Sequence, residues 1–179
     1  MKIILRLAGL IIVLLVMLMS TALANYPGTI DNGNLVFVDG GMGSTRYADR
    51  SSVVVEKYAP PDYQIAINVV FVRFSEEYWR KNKTYIGGPY EFKDVKTMRY
   101  RYNWNRKIIS YQKDGQWMDW DVNHEYGHAG GDPFIPNTAE VAFVSAYNMR
   151  FFDKKQKYIP SIKKYSRVID ESLYDRLGI

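Results

Sequence analysis

The clearest alternation of apolar and polar positions lies in the stretch that ends at Phe74. Every second residue there is apolar, while the polar Gln64 and Asn68 fall on the opposite face of an extended chain. Two consecutive prolines precede this stretch, and the chain turns at them because proline fixes φ and lacks a backbone donor. The pattern predicts a β-hairpin whose strands are Ser52–Tyr58 and Tyr63–Phe74.

The end of the second predicted strand is apolar on both of its faces. Between Val70 and Phe74 only Arg73 is polar. Strands with two apolar faces are typical of the middle of a sheet, where both faces are covered. We therefore expect this strand to be central.

Shorter alternating runs predict further strands. An early run, Leu35–Val38, is followed by the glycine-rich segment Asp39–Ser44. This segment lacks the Gly-Lys-Ser/Thr ending of phosphate-binding loops and has no third glycine at dinucleotide-binding spacing, so we interpret it as a turn or bulge. Asp114-Gly115 is a two-residue hairpin signal. It lies within a predicted meander of three strands, Thr97–Asn103, Lys107–Lys113 and Trp117–Trp120.

Three segments have helical patterns. Ser75 followed by two glutamates predicts one or two helical turns. The segment Asn137–Phe152 is apolar around most of its circumference, which predicts a helix buried against the sheet. Its start resembles a capping box, with Asn137 as N-cap and Glu140 at N3. A weaker amphipathic pattern after Pro160 predicts a C-terminal helix.

These elements predict an α+β fold. We expect an antiparallel sheet of five or six strands, with one apolar helix packed on a face and a weaker C-terminal helix. The expected organisation is a signal peptide at 1–24, an α+β domain at 25–153, and a basic linker with a C-terminal amphipathic helix at 154–179.

The first 24 residues have the parts of a secretory signal peptide. Lys2 and Arg6 precede the 13 uncharged residues Leu7–Met19, and Ala22 and Ala24 fit an A-x-A cleavage site. The apolar run is shorter than the roughly 20 residues of a membrane span, and an uncleaved anchor is the alternative. We expect an exported protein, in the periplasm, at the cell surface or outside the cell, with no membrane span after cleavage.

Composition narrows the expected partners. The chain of 179 residues has no cysteine, so neither a disulfide nor a lipid-modified cysteine can form. Loss of Lys2 and Arg6 would lower the net charge from +5 to +3, and export argues against nucleic acid as a partner. The basic stretch 154–167 is interpreted as a solvated face, with contact to an anionic envelope polymer as the alternative.

One motif matches a known catalytic signature. His124-Glu125-Tyr126-Gly127-His128 matches H-E-x-x-H, in which two imidazoles bind zinc and the glutamate acts as general base on the metal-bound water. If the motif is helical, His124 and His128 share one face and can bind the same ion. A zinc metallopeptidase with Glu125 as catalytic base is therefore the alternative function.

The neighbouring residues argue against a helix at this motif. Gly127 lies inside it, and Gly130, Gly131 and Pro133 follow too closely for two stable helical turns. The longer form of the motif supplies a third histidine as metal ligand, but this sequence has Phe134 at that position. The remaining carboxylates that could serve are Asp121, Asp132 and Glu140. We expect a polar loop without metal or cofactor. The alternatives are the zinc enzyme and a non-catalytic metal site.

Several segments carry a resemblance to a known group. They are Gly41–Val53, Tyr58–Tyr63, Tyr102–Lys107 and Glu140–Tyr147. With them, the chain from about Leu35 to Phe152 resembles uncharacterised small exported proteins of diderm Firmicutes, which are distantly similar to surface-adhesin protein E-like domains. The resemblance implies that Asp121–Pro136 is a variable loop, and it implies no catalytic residue and no established ligand.

The sequence therefore favours a non-enzymatic module, secreted or associated with the envelope, that binds another envelope or surface component. Export, abundant tyrosine and the lack of a clear catalytic constellation support this expectation. The pattern leaves the oligomeric state open.

Overall fold

The computed structural model describes residues 25–41, 43–120, 133–159 and 163–179. The predicted signal peptide and the H-E-x-x-H motif lie outside these residues. Within them, no helix is both long and apolar enough to cross a membrane.

The described residues form an antiparallel sheet of seven strands whose spatial order follows the chain. The strands are β1 (Thr29–Ile30), β2 (Leu35–Gly41), β3 (Ser44–Ala59), β4 (Asp62–Phe74), β5 (Tyr90–Asn103), β6 (Ile108–Lys113) and β7 (Gln116–Asp119). A separate hairpin consists of β8 (Gln156–Ile159) and β9 (Lys164–Arg167). The helices are α1 (Glu76–Asn82), α2 (Phe134–Tyr147) and α3 (Glu171–Leu177).

The α+β class is confirmed, but the predicted count of five or six strands is wrong for the main sheet, which has seven. The missed strand β1 has two residues and pairs with β2, so it is too short to give a periodic signal. The first strand of the predicted hairpin also begins earlier, at Ser44 instead of Ser52.

The prediction that the strand ending at Phe74 is central is confirmed. β4 pairs with β3 on one side and with β5 on the other. Ile65 and Val69 belong to the main core cluster, whereas Val70 and Val72 belong to a second cluster on the opposite face. The sheet therefore separates two cores, and α2 packs on the side of the larger one, against β2, β3 and β4.

The predicted limits and cap of the main helix are wrong. α2 begins at Phe134, after Pro133, and ends at Tyr147 because Asn148 adopts a left-handed conformation with φ of 54°. Asn137 is not the N-cap, since its side chain donates to the Val38 carbonyl (2.9 Å). The first turn is fixed by contact with β2 instead of by a capping box.

The C-terminal segment completes the main core. The stretch expected to be a basic linker contains β8 and β9. Asp170 caps α3 by accepting a hydrogen bond from the Ser172 N–H (2.9 Å). Apolar side chains here belong to the main cluster, namely Val168, Ile169, Leu173, Tyr174 and Leu177.

Truncation of Phe143 should reduce stability strongly, because this side chain is 1% exposed and lies among other aromatic rings. The rings in contact with it are those of Tyr63, Tyr102, Trp104, Tyr147 and Phe151. We expect Phe143→Ala to lower the free energy of unfolding by about 3–5 kcal/mol. Denaturant unfolding followed by circular dichroism measures it. Met149→Ala is the control, because Met149 is 48% exposed and its loss should cost less than about 0.5 kcal/mol. Equal losses in the two variants would contradict the packing.

Candidate functional site

The main candidate site is a cavity of about 340 Å³ at the margin of the main core. Its floor includes Val69 and Phe71 of β4 and Met98 of β5. Phe134 and Ile135, in the first turn of α2, form a wall. Among the described residues α2 packs mainly over β2, β3 and β4, and the cavity lies beside the first turn of this helix, over β4, β5 and β6.

Aromatic and basic side chains share the lining of this cavity. Tyr111 of β6 and Trp120, which follows β7, add to its aromatic surface. Arg46, Lys96 and Lys113 reach it from β3, β5 and β6. None of the described lining residues is acidic. The lining is thus apolar at its floor and positively charged around it.

Of the three cations, Arg46 has an ion pair and an aromatic contact within the described residues. Its guanidinium contacts the Asp39 carboxylate and lies 4.1 Å from the centroid of the Phe134 ring. Asp39 offsets part of the charge of Arg46. Lys96 and Lys113 are exposed and form no ion pair within the described ranges. Among the described lining residues they therefore carry most of the uncompensated positive charge.

This arrangement suits the binding of a small molecule. The described lining combines apolar, aromatic and basic side chains. Its volume is within the range of small-molecule sites, which are roughly 300–1,000 Å³ and mostly apolar with a few placed polar groups. The lining would accept an apolar group on the floor and an anionic group beside the lysines.

A second cavity, of about 460 Å³, lies between the end of β4 and the start of β5. Arg73 lies there together with two acids, Glu76 and Glu91, and the ring of Tyr90. Because its charges are mixed and it is formed largely by exposed side chains, it gives no clear preference for one ligand class.

A buried carboxylate lies on the other side of α2. Glu140 is 0% exposed and accepts hydrogen bonds from the N–H groups of Phe151 (2.7 Å) and Phe152 (3.1 Å) and from the Tyr174 hydroxyl (2.8 Å). It joins α2 to the segment after that helix and to α3. Burial raises the pKa of Glu140 to about 7, although these donors and Lys107 act to lower it.

The predicted role of Glu140 at N3 of a capping box is wrong. Its carboxylate binds groups 11, 12 and 34 residues further along the chain.

The other residues of the predicted metal site, His124, Glu125, His128, Asp121 and Asp132, lie outside the described residues. The loop conformation predicted for them therefore stays a prediction. In the described part of the chain, no group of three His, Cys, Asp or Glu side chains is arranged to hold a metal ion.

Sequence reasoning missed the cations of the cavity. Arg46, Lys96 and Lys113 are far apart in the chain, and each lies in a strand with ordinary alternation. No local signal distinguishes them from other exposed bases. Only the order of β3 to β6 in the sheet brings them to one cavity.

Comparison with known proteins gives no family for this chain. No protein-family model matches it, and no curated protein or solved structure matches it significantly.

Glu140 should make stability depend on pH. Its folded-state pKa of about 7 exceeds its ordinary value of 4.5, so the folded protein keeps a proton that the unfolded chain releases. The resulting stabilisation is complete below pH 4.5 and is lost as the pH rises through about 7, a change of up to about 3 kcal/mol.

Denaturant unfolding at several pH values between 4.5 and 8 measures this dependence. Glu140→Gln keeps an acceptor oxygen but cannot titrate, so we expect its stability to vary less over the same range. Glu140→Ala should cost roughly 3–5 kcal/mol at pH 5, since it leaves three buried donors without an acceptor. A stability profile of Glu140→Gln that parallels the unmodified protein would show that Glu140 is not the titrating group.

Proposed function

We propose that this protein is a non-enzymatic binding module, secreted or associated with the cell envelope, that takes a small anionic amphiphile into the 340 Å³ cavity. The observation that carries the proposal is the combination of an apolar floor with Arg46, Lys96 and Lys113 at one cavity. The predicted signal peptide supports the location, since envelope components are then the available ligands.

The ligand chemistry follows from the lining. An aliphatic or aromatic group would contact Val69, Phe71 and Met98, and burying it gains roughly 25 cal/mol for each Å² of apolar surface. A carboxylate, phosphate or sulfonate would lie towards Lys96 and Lys113, which lack other ion pairs among the described residues. A neutral sugar would leave these two charges unused.

A pair of fluorescent probes tests this proposal. 1-Anilinonaphthalene-8-sulfonate carries an anionic group, whereas N-phenyl-1-naphthylamine has a similar ring system without charge. We expect the anionic probe to bind more tightly, with an affinity that falls as salt is added. Lys113→Glu should weaken its binding by about threefold to tenfold and should leave the neutral probe unaffected.

The matched control for this test is Lys57→Glu, since Lys57 is an exposed base of β3 outside the cavity. It should leave both affinities unchanged. Phe71→Ala should weaken both probes, because it removes part of the apolar floor. Equal effects of Lys57→Glu and Lys113→Glu, or no binding of either probe, would sink the proposal.

The H-E-x-x-H match supports one alternative, a zinc-dependent metallopeptidase that uses His124, Glu125 and His128. Elemental analysis of protein purified without a tag separates it from the binding module. Stoichiometric zinc that disappears in His124→Ala, with peptide cleavage that is lost in Glu125→Gln, would favour the enzyme.

A further inference from the structure

β5 presents a long free edge. Only its last four residues, Tyr100–Asn103, pair with β6. The preceding Tyr90–Thr97 pair with β4 on one side and with no strand of the described chain on the other. All eight residues are exposed, including Phe92 at 57% and Val95 at 56%. Exposed edges with apolar side chains are open to pairing with another strand.

An irregularity in the β4–β5 ladder determines which side chains of this edge lie on the same face of the sheet. The register slips by one residue, which makes Lys93 an extra residue in β5. As a result Phe92 and Val95 lie on the same face, opposite Val72 and Val70 of the second core. Without the extra residue, positions 92 and 95 would point to opposite faces.

The charged residues of the edge follow the same division. Glu91 and Lys96 oppose Arg73 and Val69 of β4, so they share the face that lies away from the second core. Together with Lys93 and Asp94 they form a neutral set of two acids and two bases within six residues.

This pattern is complementary to itself when the strand is reversed. In an antiparallel pair that puts Phe92 opposite Val95 of a second copy, Glu91 meets Lys96 of that copy. The same register brings Lys93 opposite Asp94. Each contact occurs twice because of the two-fold symmetry, and the Phe92–Val95 and Glu91–Lys96 pairs each join residues of the same face.

We propose that a second copy of this chain pairs with the free edge of β5 in this register, joining two seven-stranded sheets into one. The paired segment would be Tyr90–Thr97. Cross-strand pairs of opposite charge and of Phe with Val each stabilise such a pairing, whereas an unrelated strand would meet unmatched charges.

Contacts within the single chain compete with this pairing. Lys93 contacts Glu91, and the Val95 N–H donates to Asp94 Oδ1 (2.8 Å). Pairing with a second copy replaces these contacts within one chain by equivalent contacts between two chains, so the net gain is small. The paired segment is also only eight residues long. We therefore expect dissociation constants in the micromolar range or weaker, as for small transient interfaces.

Sedimentation velocity over a range of protein concentrations measures the dissociation constant of the dimer. Variants that exchange the charges of Lys93 and Asp94 test the proposed register. Lys93→Asp and Asp94→Lys each place like charges opposite each other, twice per dimer. Each should weaken dimerisation by about tenfold or more at low salt. The double variant Lys93→Asp/Asp94→Lys restores opposite charges and should return the dissociation constant to within about threefold of the original.

Circular dichroism and thermal unfolding check that the variants fold, which is expected because both side chains are exposed. Lys113→Glu is a further control, since this residue lies outside the edge and should leave dimerisation unchanged while weakening the anionic probe. A monomer at millimolar concentration, a double variant as weak as the single ones, or assemblies larger than a dimer would overturn the proposal.

Discussion

The burial of both faces of β4 is the constraint on which the rest of the structure depends. Ile65 and Val69 enter the main core, while Val70 and Val72 enter the second core. Because a strand with two apolar faces must be covered on each of them, the chain has to supply a layer above and a layer below the sheet. α2 and α3 contribute to the first layer, and the aromatic residues of the second cluster, such as Tyr85, contribute to the other.

The position of the cavity depends on which strands α2 covers. α2 covers the sheet mainly above β2, β3 and β4, and a single helix is narrower than seven strands. In the described part of the chain the cavity lies beside this helix, where Lys96 of β5 and Lys113 of β6 border an apolar floor. Exposed lysines extend their charges into water while their stems cover apolar surface. The same sheet thus supplies a stable core and, under the proposed function, the place where an anionic amphiphile lies partly buried.

Glu140 shows how a polar group can organise a core that has no disulfide. A buried carboxylate costs desolvation free energy, which its hydrogen bonds to Phe151, Phe152 and Tyr174 offset only in part, since its pKa is still raised. These bonds tie α2 to the segment after it and to α3. Its carboxyl links these segments through hydrogen bonds, and its raised pKa reflects burial.

The sequence by itself determined that the hairpin and the meander exist, because alternation with period two is set by neighbouring residues. It did not determine where their first strands begin, which is at Ser44 instead of Ser52 and at Tyr90 instead of Thr97. It also determined the turn at Asp114-Gly115, where both residues have positive φ, of 51° and 80°. Only the tertiary structure decided where α2 begins, since Asn137 binds a carbonyl 99 residues away. It likewise decided the role of Glu140 and the meeting of the cavity's cations from three strands. Such contacts depend on which segments the sheet brings together, and local patterns do not encode them.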